Sequence, residues 1–81
     1  MSAEILIIDD NSDIREILND LILEAGYSTR LAANYNQALT EIDKKLPDVA
    51  IIDVKLDKGD NDGIELLNHI KNKNNNIPVI I

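Results

Sequence analysis

Two short apolar runs, each followed directly by aspartate, constrain the fold of this chain more than any other feature. The first run, residues 5–8, precedes Asp9 and Asp10, and the second, residues 49–52, precedes Asp53. Continuous apolar runs of this length are typical of strands that are buried on both faces of a parallel sheet. Because such sheets bind ligands at the carboxyl ends of their strands, the three aspartates mark the predicted site.

Segments with helical periodicity alternate with the predicted strands. Their apolar side chains recur every three or four positions, which is typical of helices that bury one face. Asn11 or Ser12 is suited to begin the first helix, Gly26 to end it, and Pro47 to end the second. The periodic residues are Ile14, Ile17, Leu18, Leu21, Ile22 and Ala25 in the first helix, Tyr35, Ala38, Leu39, Ile42 and Leu46 in the second, and Leu66, Leu67 and Ile70 in the third.

Two further strands complete the pattern. Residues 27–32 alternate between apolar and polar side chains, as a strand at the edge of a sheet does, and residues 77–81 form another apolar run. The predicted order along the chain is βαβαβαβ, an α/β fold with a parallel sheet and right-handed crossovers. An edge position for the second strand predicts the sheet order 2-1-3-4. That order brings Asp9, Asp10 and Asp53 to neighbouring strand ends.

Length and composition limit the classes of function open to this chain. With 81 residues, 44% of them hydrophobic and 28% charged, it is predicted to be one small globular domain. It has no cysteine, which excludes disulfides and thiolate chemistry, and its net charge of −7 disfavours nucleic-acid binding by this segment. No apolar run approaches the roughly 20 residues of a transmembrane helix, and no signal-peptide pattern is present, so we expect a cytoplasmic location without membrane contact.

The three aspartates predict a bound Mg²⁺ ion. Carboxylates crowded at one sheet edge repel one another unless a cation compensates their charge. Mg²⁺ is held by one or two carboxylates, keeps several waters and is often completed by phosphate oxygens. An ion held there can neutralise an incoming phosphoryl group and align it for in-line attack. Asp53 is the predicted nucleophile and would become an aspartyl phosphate.

These residues resemble those of a known family. The string at residues 5–11, the isolated Asp53 after the third strand and the later Asp62 and Gly63 resemble the receiver domain of two-component response regulators. The resemblance implies a flavodoxin-like three-layer α/β sandwich. The long loop after Asp53 and residues 13–15, which follow the acid pair, resemble the NtrX-like, nitrogen-regulatory subgroup.

The resemblance also implies roles for individual residues. A sensor histidine kinase would transfer a phosphoryl group to Asp53, and the domain would be a phosphoacceptor rather than an enzyme. Mg²⁺ would be held by Asp10, Asp53 and the main-chain carbonyl of Lys55, with Asp9 binding the metal directly or through water. An NtrX-like parent protein would regulate transcription through an ATPase module and a DNA-binding helix-turn-helix outside this sequence.

The end of the sequence sets a further expectation, because residues 1–81 would be only the N-terminal portion of a receiver domain. Receivers carry a Thr or Ser at the end of the fourth strand and a Lys at the end of a fifth, and neither is present after Ile81. Loss of one preorganised donor can cost about 10²–10³ in rate, so we expect impaired switching. We also expect self-association through the fourth strand or an uncovered sheet face, since residues 77–81 lack the charges that protect sheet edges.

Other classes of protein share parts of this pattern. A dinucleotide-binding domain needs a glycine-rich turn after the first strand, where this chain has carboxylates. A haloacid-dehalogenase-like phosphatase also forms an aspartyl phosphate, but its Asp-x-Asp motif would require aspartate in place of Asn11. An EF-hand calcium loop with Gly63 at its sixth position would place Lys58 and His69 where carboxylates are needed. A non-catalytic interaction or dimerisation module is the alternative that uses none of this chemistry.

Overall fold

Strands and helices alternate along the chain in the computed structural model, which describes residues 3–57 and 59–81. Lys58, which stands where a calcium loop would need a carboxylate, lies outside the described residues. No helix within those two ranges is long and apolar enough to cross a membrane. The elements are β1 (Glu4–Ile8), α1 (Ser12–Glu24), β2 (Ser28–Ala32), α2 (Tyr35–Lys44), β3 (Val49–Ile52), α3 (Asp62–Lys73) and β4 (Val79–Ile80).

The strands form one parallel sheet in the order β2-β1-β3-β4, which confirms the predicted fold class and strand order. Strand β1 pairs with β2 on one side and with β3 on the other, so that Ile8 stands beside Ala32 and beside Ile52. The chain therefore reverses its direction across the sheet between β1 and β3. The residues that follow these two strands emerge next to each other at the carboxyl edge of the sheet.

The fourth strand is shorter than the sequence predicts. Only Val79–Ile80 pairs with β3, although residues 77–81 form a continuous apolar run. Pro78 has no N–H group to donate to a ladder, although its carbonyl accepts from the Ala50 amide at 3.1 Å. Ile77 is buried in the core, and its carbonyl accepts a hydrogen bond from the Lys71 ammonium at 2.6 Å.

The two faces of the sheet are covered to different extents. Helices α2 and α3 close one face over a core in which most side chains are fully buried. By contrast, no residue of α1 is buried, and Ile14, Ile17 and Leu21 are 44%, 55% and 59% exposed. The buried cluster consists of Leu6, Ile8, Ala32, Ala38, Ile42, Ala50, Ile52, Leu56, Leu66, Ile70 and Ile77.

Polar contacts tie α2 to its neighbours. Arg30 on β2 donates to the Glu41 carboxylate at 3.1 Å and to the Glu41 carbonyl at 2.8 Å, and this guanidinium holds the pKa of Glu41 below its ordinary value. Two residues further along α2, Asp43 contacts His69 and Lys73 of α3 at 3.0 and 3.3 Å. Hydrogen bonds from His69 and then Lys73 lower the pKa of Asp43. These contacts fix α2 relative to β2 and α3.

Candidate functional site

The carboxylates of Asp9, Asp10 and Asp53 converge at the carboxyl edge of the sheet. One oxygen from each lies within 4.8 Å of the oxygens of the other two. The main chain brings them together, because the Asp53 amide donates to the Ile8 carbonyl at 2.8 Å and the Asp9 amide donates to the Ala32 carbonyl at 3.2 Å. Asp9 and Asp53 are half-buried and Asp10 is exposed. The three side chains therefore lie where the predicted topology places them.

The end of β1 is held by short-range contacts. The Asp9 carboxylate accepts from the Asn11 amide at 2.9 Å, which forms a tight turn after the strand. The Asn11 side chain then accepts from the amides of Asp13 and Ile14 at 2.9 and 3.2 Å, so Asn11 is the N-cap of α1. The Arg15 guanidinium reaches back from the first turn of α1 to the Asp9 carbonyl at 2.8 Å. A few neighbouring residues therefore fix the orientation of Asp9 and the path of the turn that carries Asp10.

The end of β3 is held by contacts with distant parts of the fold. The Lys55 amide donates to the Asp53 carboxylate at 3.3 Å, which links the acid to its own loop. Leu56 is buried, with 9% of its surface exposed, in the core below the site. The next residue, Asp57, accepts from the Tyr35 amide at the start of α2 at 2.9 Å. The loop is therefore anchored both to the core and to α2.

The start of α3 closes against the backbone of Asp53. The Gly63 amide donates to the Val54 carbonyl at 3.0 Å. A Cβ atom on Gly63 would lie 2.6 Å from the Val54 Cα and 2.7 Å from the Asp53 carbonyl oxygen, which is closer than real side chains approach. Asp62 is buried, and its carboxylate accepts from the Gly59 amide at 3.0 Å. The sequence pair Asp62 and Gly63 thus positions the main chain that carries Asp53.

The oxygen atoms of the cluster suit a small divalent cation. In octahedral coordination at about 2.1 Å, adjacent ligand oxygens lie about 3.0 Å apart and opposite ones about 4.2 Å. One oxygen each from Asp9, Asp10 and Asp53 lie within 4.8 Å of one another, so a small adjustment of the side chains would bring them to that spacing. Only hard oxygen donors are present, which favours Mg²⁺ over metals that select nitrogen or sulfur ligands. The use of these aspartates and of the Lys55 carbonyl as ligands stays a prediction.

Sequence reasoning missed two groups that shape the site. Arg15 was part of a motif, but its bond to the Asp9 carbonyl was not predicted, since helical periodicity does not show which way a polar side chain turns. In the sequence, Asp57 is one of three acids in the polar loop after Asp53. Its bond to Tyr35 spans 22 residues of sequence, so no local pattern could have indicated it.

Comparisons with known proteins agree with this architecture. The chain matches the response regulator receiver domain over residues 5–81. It is 43% identical over 81 residues to sporulation initiation phosphotransferase F of Bacillus subtilis. The matched region covers all of this chain and 64% of that protein. It is 36% identical over 81 residues to the nitrogen assimilation regulatory protein NtrX of Azorhizobium caulinodans, of which it covers 18%. The crystal structure of NtrX from Brucella abortus matches with a TM-score of 0.86 and 34% identity, over 98% of this chain and 18% of that one.

The chain belongs to the response regulator receiver domain family. The predicted flavodoxin-like fold is confirmed by solved receiver structures that share its architecture. The predicted resemblance to NtrX is also confirmed, and the similarity to the Bacillus protein is an additional finding. The chain spans less than two thirds of the length of each of these curated relatives.

Proposed function

We propose that this receiver domain accepts a phosphoryl group on Asp53 from a sensor histidine kinase, with Mg²⁺ bound at the strand ends. The observation that carries the proposal is the convergence of the Asp9, Asp10 and Asp53 carboxylates at one sheet edge. Membership of the receiver family supports it, and it disfavours the phosphatase alternative. We propose a cytoplasmic location on the sequence grounds given above.

The proposed chemistry is the transfer of a phosphoryl group to the Asp53 carboxylate. An Asp53 carboxylate oxygen would attack phosphorus, forming an acyl phosphate while the bond from phosphorus to the donor's imidazole nitrogen breaks and the electron pair leaves with that nitrogen. The Lys55 amide orients the Asp53 carboxylate for this attack. Asp10, Asp53 and the Lys55 carbonyl would hold Mg²⁺, with Asp9 as a direct or water-mediated partner. When bound, the ion supplies positive charge that offsets the charge of the phosphoryl oxygens.

Labelling with a small phosphodonor tests this proposal. We expect acetyl phosphate with Mg²⁺ to add one phosphoryl group per chain, at a lower rate than in an intact receiver, in line with the impaired switching expected of residues 1–81. Intact mass detects the addition, and chelation of the metal should prevent it. Asp53→Asn should abolish the labelling. Asp60→Asn is the matched control, because Asp60 lies in the same loop with its side chain 87% exposed, and it should label normally. Labelling that persists in Asp53→Asn, or none in the unaltered chain, would refute the assignment.

Incubation with a phosphomonoester, beside the acetyl phosphate labelling, separates a phosphoacceptor from an enzyme. A receiver incorporates the phosphoryl group in a one-to-one ratio, whereas a phosphatase-like domain would release many phosphates per chain from a phosphomonoester. We propose the first behaviour. Sustained turnover of a phosphomonoester that depends on Asp9 would support the second.

A second candidate function is association with another copy of this chain through β4. Strand β4 lies at the edge of the described sheet, and Ile80 and Ile81 are 57% and 53% exposed. An unprotected edge strand is a template for pairing, and a twofold pair would use the same edge in both copies. We expect light scattering to show dimers at high concentration. Ile80→Lys should give monomers. Ile64→Lys, at a 41% exposed position on α3, is the control and should leave the dimers intact. If the unaltered chain is monomeric at high concentration, association through β4 is excluded.

The output of the parent protein follows only from its relatives. NtrX is named a nitrogen assimilation regulatory protein, and ZraR of Klebsiella oxytoca a transcriptional regulatory protein. We propose that this receiver likewise controls transcription, through segments outside the present sequence. The acidic charge of −7 supports the expectation that this domain itself does not grip nucleic acid.

A further inference from the structure

The loop after β3 is tied to α2 by one hydrogen bond between distant residues. The Asp57 carboxylate accepts from the Tyr35 amide at 2.9 Å. Tyr35 is the first residue of α2, and the amides of a helix's first turn are available to acceptors outside the helix. A carboxylate at this end of a helix gains from charge assistance and from the helix dipole. The bond is therefore a specific anchor for the loop.

This anchor lies two residues beyond the carbonyl that is assigned to the metal. Lys55 is linked to Asp53 through its amide, and Leu56 is fixed in the core beneath the loop. The Lys55 carbonyl and the Leu56 amide belong to one planar peptide unit, so the direction of the carbonyl depends on where Leu56 and Asp57 are held. Tyr35 packs against the buried cluster that contains Leu56, so the amide donor and the residue before the acceptor are both held by the same core.

We propose that Asp57 is a positioning residue for the Mg²⁺ site, which aims the Lys55 carbonyl through its hydrogen bond to the first amide of α2. This inference rests on the function proposed above. Asp57 itself would not touch the metal. Among the described residues, the acids that converge at the strand ends are Asp9, Asp10 and Asp53. The effect of Asp57 would reach the site through the peptide that joins Lys55 to Leu56.

Metal affinity measured without any phosphodonor tests the proposal. Groups that orient a metal ligand typically change affinity 10–100-fold when removed, and for Asp57→Ala we expect about a tenfold loss of Mg²⁺ affinity. Asp57→Asn keeps an oxygen that can accept from Tyr35, and it should bind Mg²⁺ more tightly than Asp57→Ala. Asp60→Ala removes one negative charge from the same loop without removing the anchor. Its Mg²⁺ affinity should be close to that of the unaltered chain.

A second pair of variants removes the donor instead of the acceptor. Tyr35→Pro deletes the amide hydrogen at a helix position where proline is well accommodated, and Asn34 before it is already extended, with φ −155° and ψ 174°. Tyr35→Ala loses the same aromatic ring but keeps the amide. We expect Tyr35→Pro to bind Mg²⁺ about tenfold more weakly than Tyr35→Ala, which separates the hydrogen bond from the packing of the ring.

Hydrogen exchange gives an independent readout, because coupling between two sites is reciprocal. Mg²⁺ should slow exchange of the Tyr35 amide in the unaltered chain and leave it unchanged in Asp57→Ala. The positioning role is wrong if the unaltered chain binds Mg²⁺ and Asp57→Ala binds it as tightly as Asp60→Ala does. It is also wrong if Asp57→Asn loses as much Mg²⁺ affinity as Asp57→Ala. In both cases the proposed function stands. If the unaltered chain binds no Mg²⁺, both proposals fail.

Discussion

The two strand ends that meet at the acidic cluster are built in different ways. Asp9 and Asp10 follow β1 in a tight turn whose contacts involve Asn11 and Arg15, all within a few residues of one another. Asp53 begins a loop that reaches α3 only at Asp62 and is held by contacts across the fold. Apart from the bond between the Asp9 amide and the Ala32 carbonyl of β2, the first end is thus specified locally. The second depends on correct packing of α2, α3 and the core. The position of Asp53 in the site should therefore change when that packing is disturbed.

Truncating the buried side chain in the loop after β3 should cause the largest loss of stability and of Mg²⁺ affinity. Leu56→Ala removes a side chain from the core, and such changes cost about 2–5 kcal/mol in free energy of unfolding. Mg²⁺ affinity should fall as well, because the loop loses its fixed point. Leu21→Ala on α1 is the matched control: Leu21 is 59% exposed, and we expect a change within about 0.5 kcal/mol. Equal losses by denaturant unfolding would contradict the contrast.

Adding one methyl group at the start of α3 should have the next largest effect. Gly63→Ala places a Cβ 2.6 Å from the Val54 backbone, and overpacking of this kind costs about 1–3 kcal/mol. The shift would be transmitted to Asp53, so Mg²⁺ affinity should decrease. Gly59→Ala adds the same methyl where the nearest neighbour, an Asp62 carboxylate oxygen, is 3.9 Å away. That variant should leave Mg²⁺ affinity unchanged, and a loss equal to that of Gly63→Ala would argue against the close approach.

The smallest effect should come from the locally built end. Asn11→Ala removes the cap of α1 and should cost about 1 kcal/mol of stability. Because the Asp9 carboxylate and the Asn11 amide still form the turn, Mg²⁺ affinity should change less than in Gly63→Ala. Asn68→Ala, at an exposed position within α3, should cause no loss of stability. Thermal unfolding and metal titration of both variants measure the difference.

The same contrast explains which parts of the molecule the sequence predicts. The alternation of apolar runs with periodic helices predicts the strand order, and that order alone brings Asp9 and Asp10 next to Asp53. The choice of Asn11 or Ser12 as a cap was also within reach, since capping depends on residues that are adjacent in sequence. The structure selects Asn11.

The remaining features depend on contacts that only the folded chain creates. The extent of β4 was overestimated, because an apolar run does not reveal that Ile77 enters the core ahead of Pro78 rather than pairing. The anchor joins Asp57 in the loop after β3 to Tyr35 at the start of α2, and these two segments approach only after the sheet has formed. Exposure of the apolar face of α1 likewise depends on what covers it, which periodicity cannot show.

The central claim is that these two differently built strand ends form one metal site. A residue-resolved Mg²⁺ titration, followed by the backbone amide signals, tests it most directly. The amides of Asp10 and Asn11 after β1 and those of Val54 and Lys55 after β3 should shift together with one common midpoint, and Asp53→Asn should weaken both responses equally. Shifts confined to one strand end, or two ends with separate midpoints, would contradict the claim.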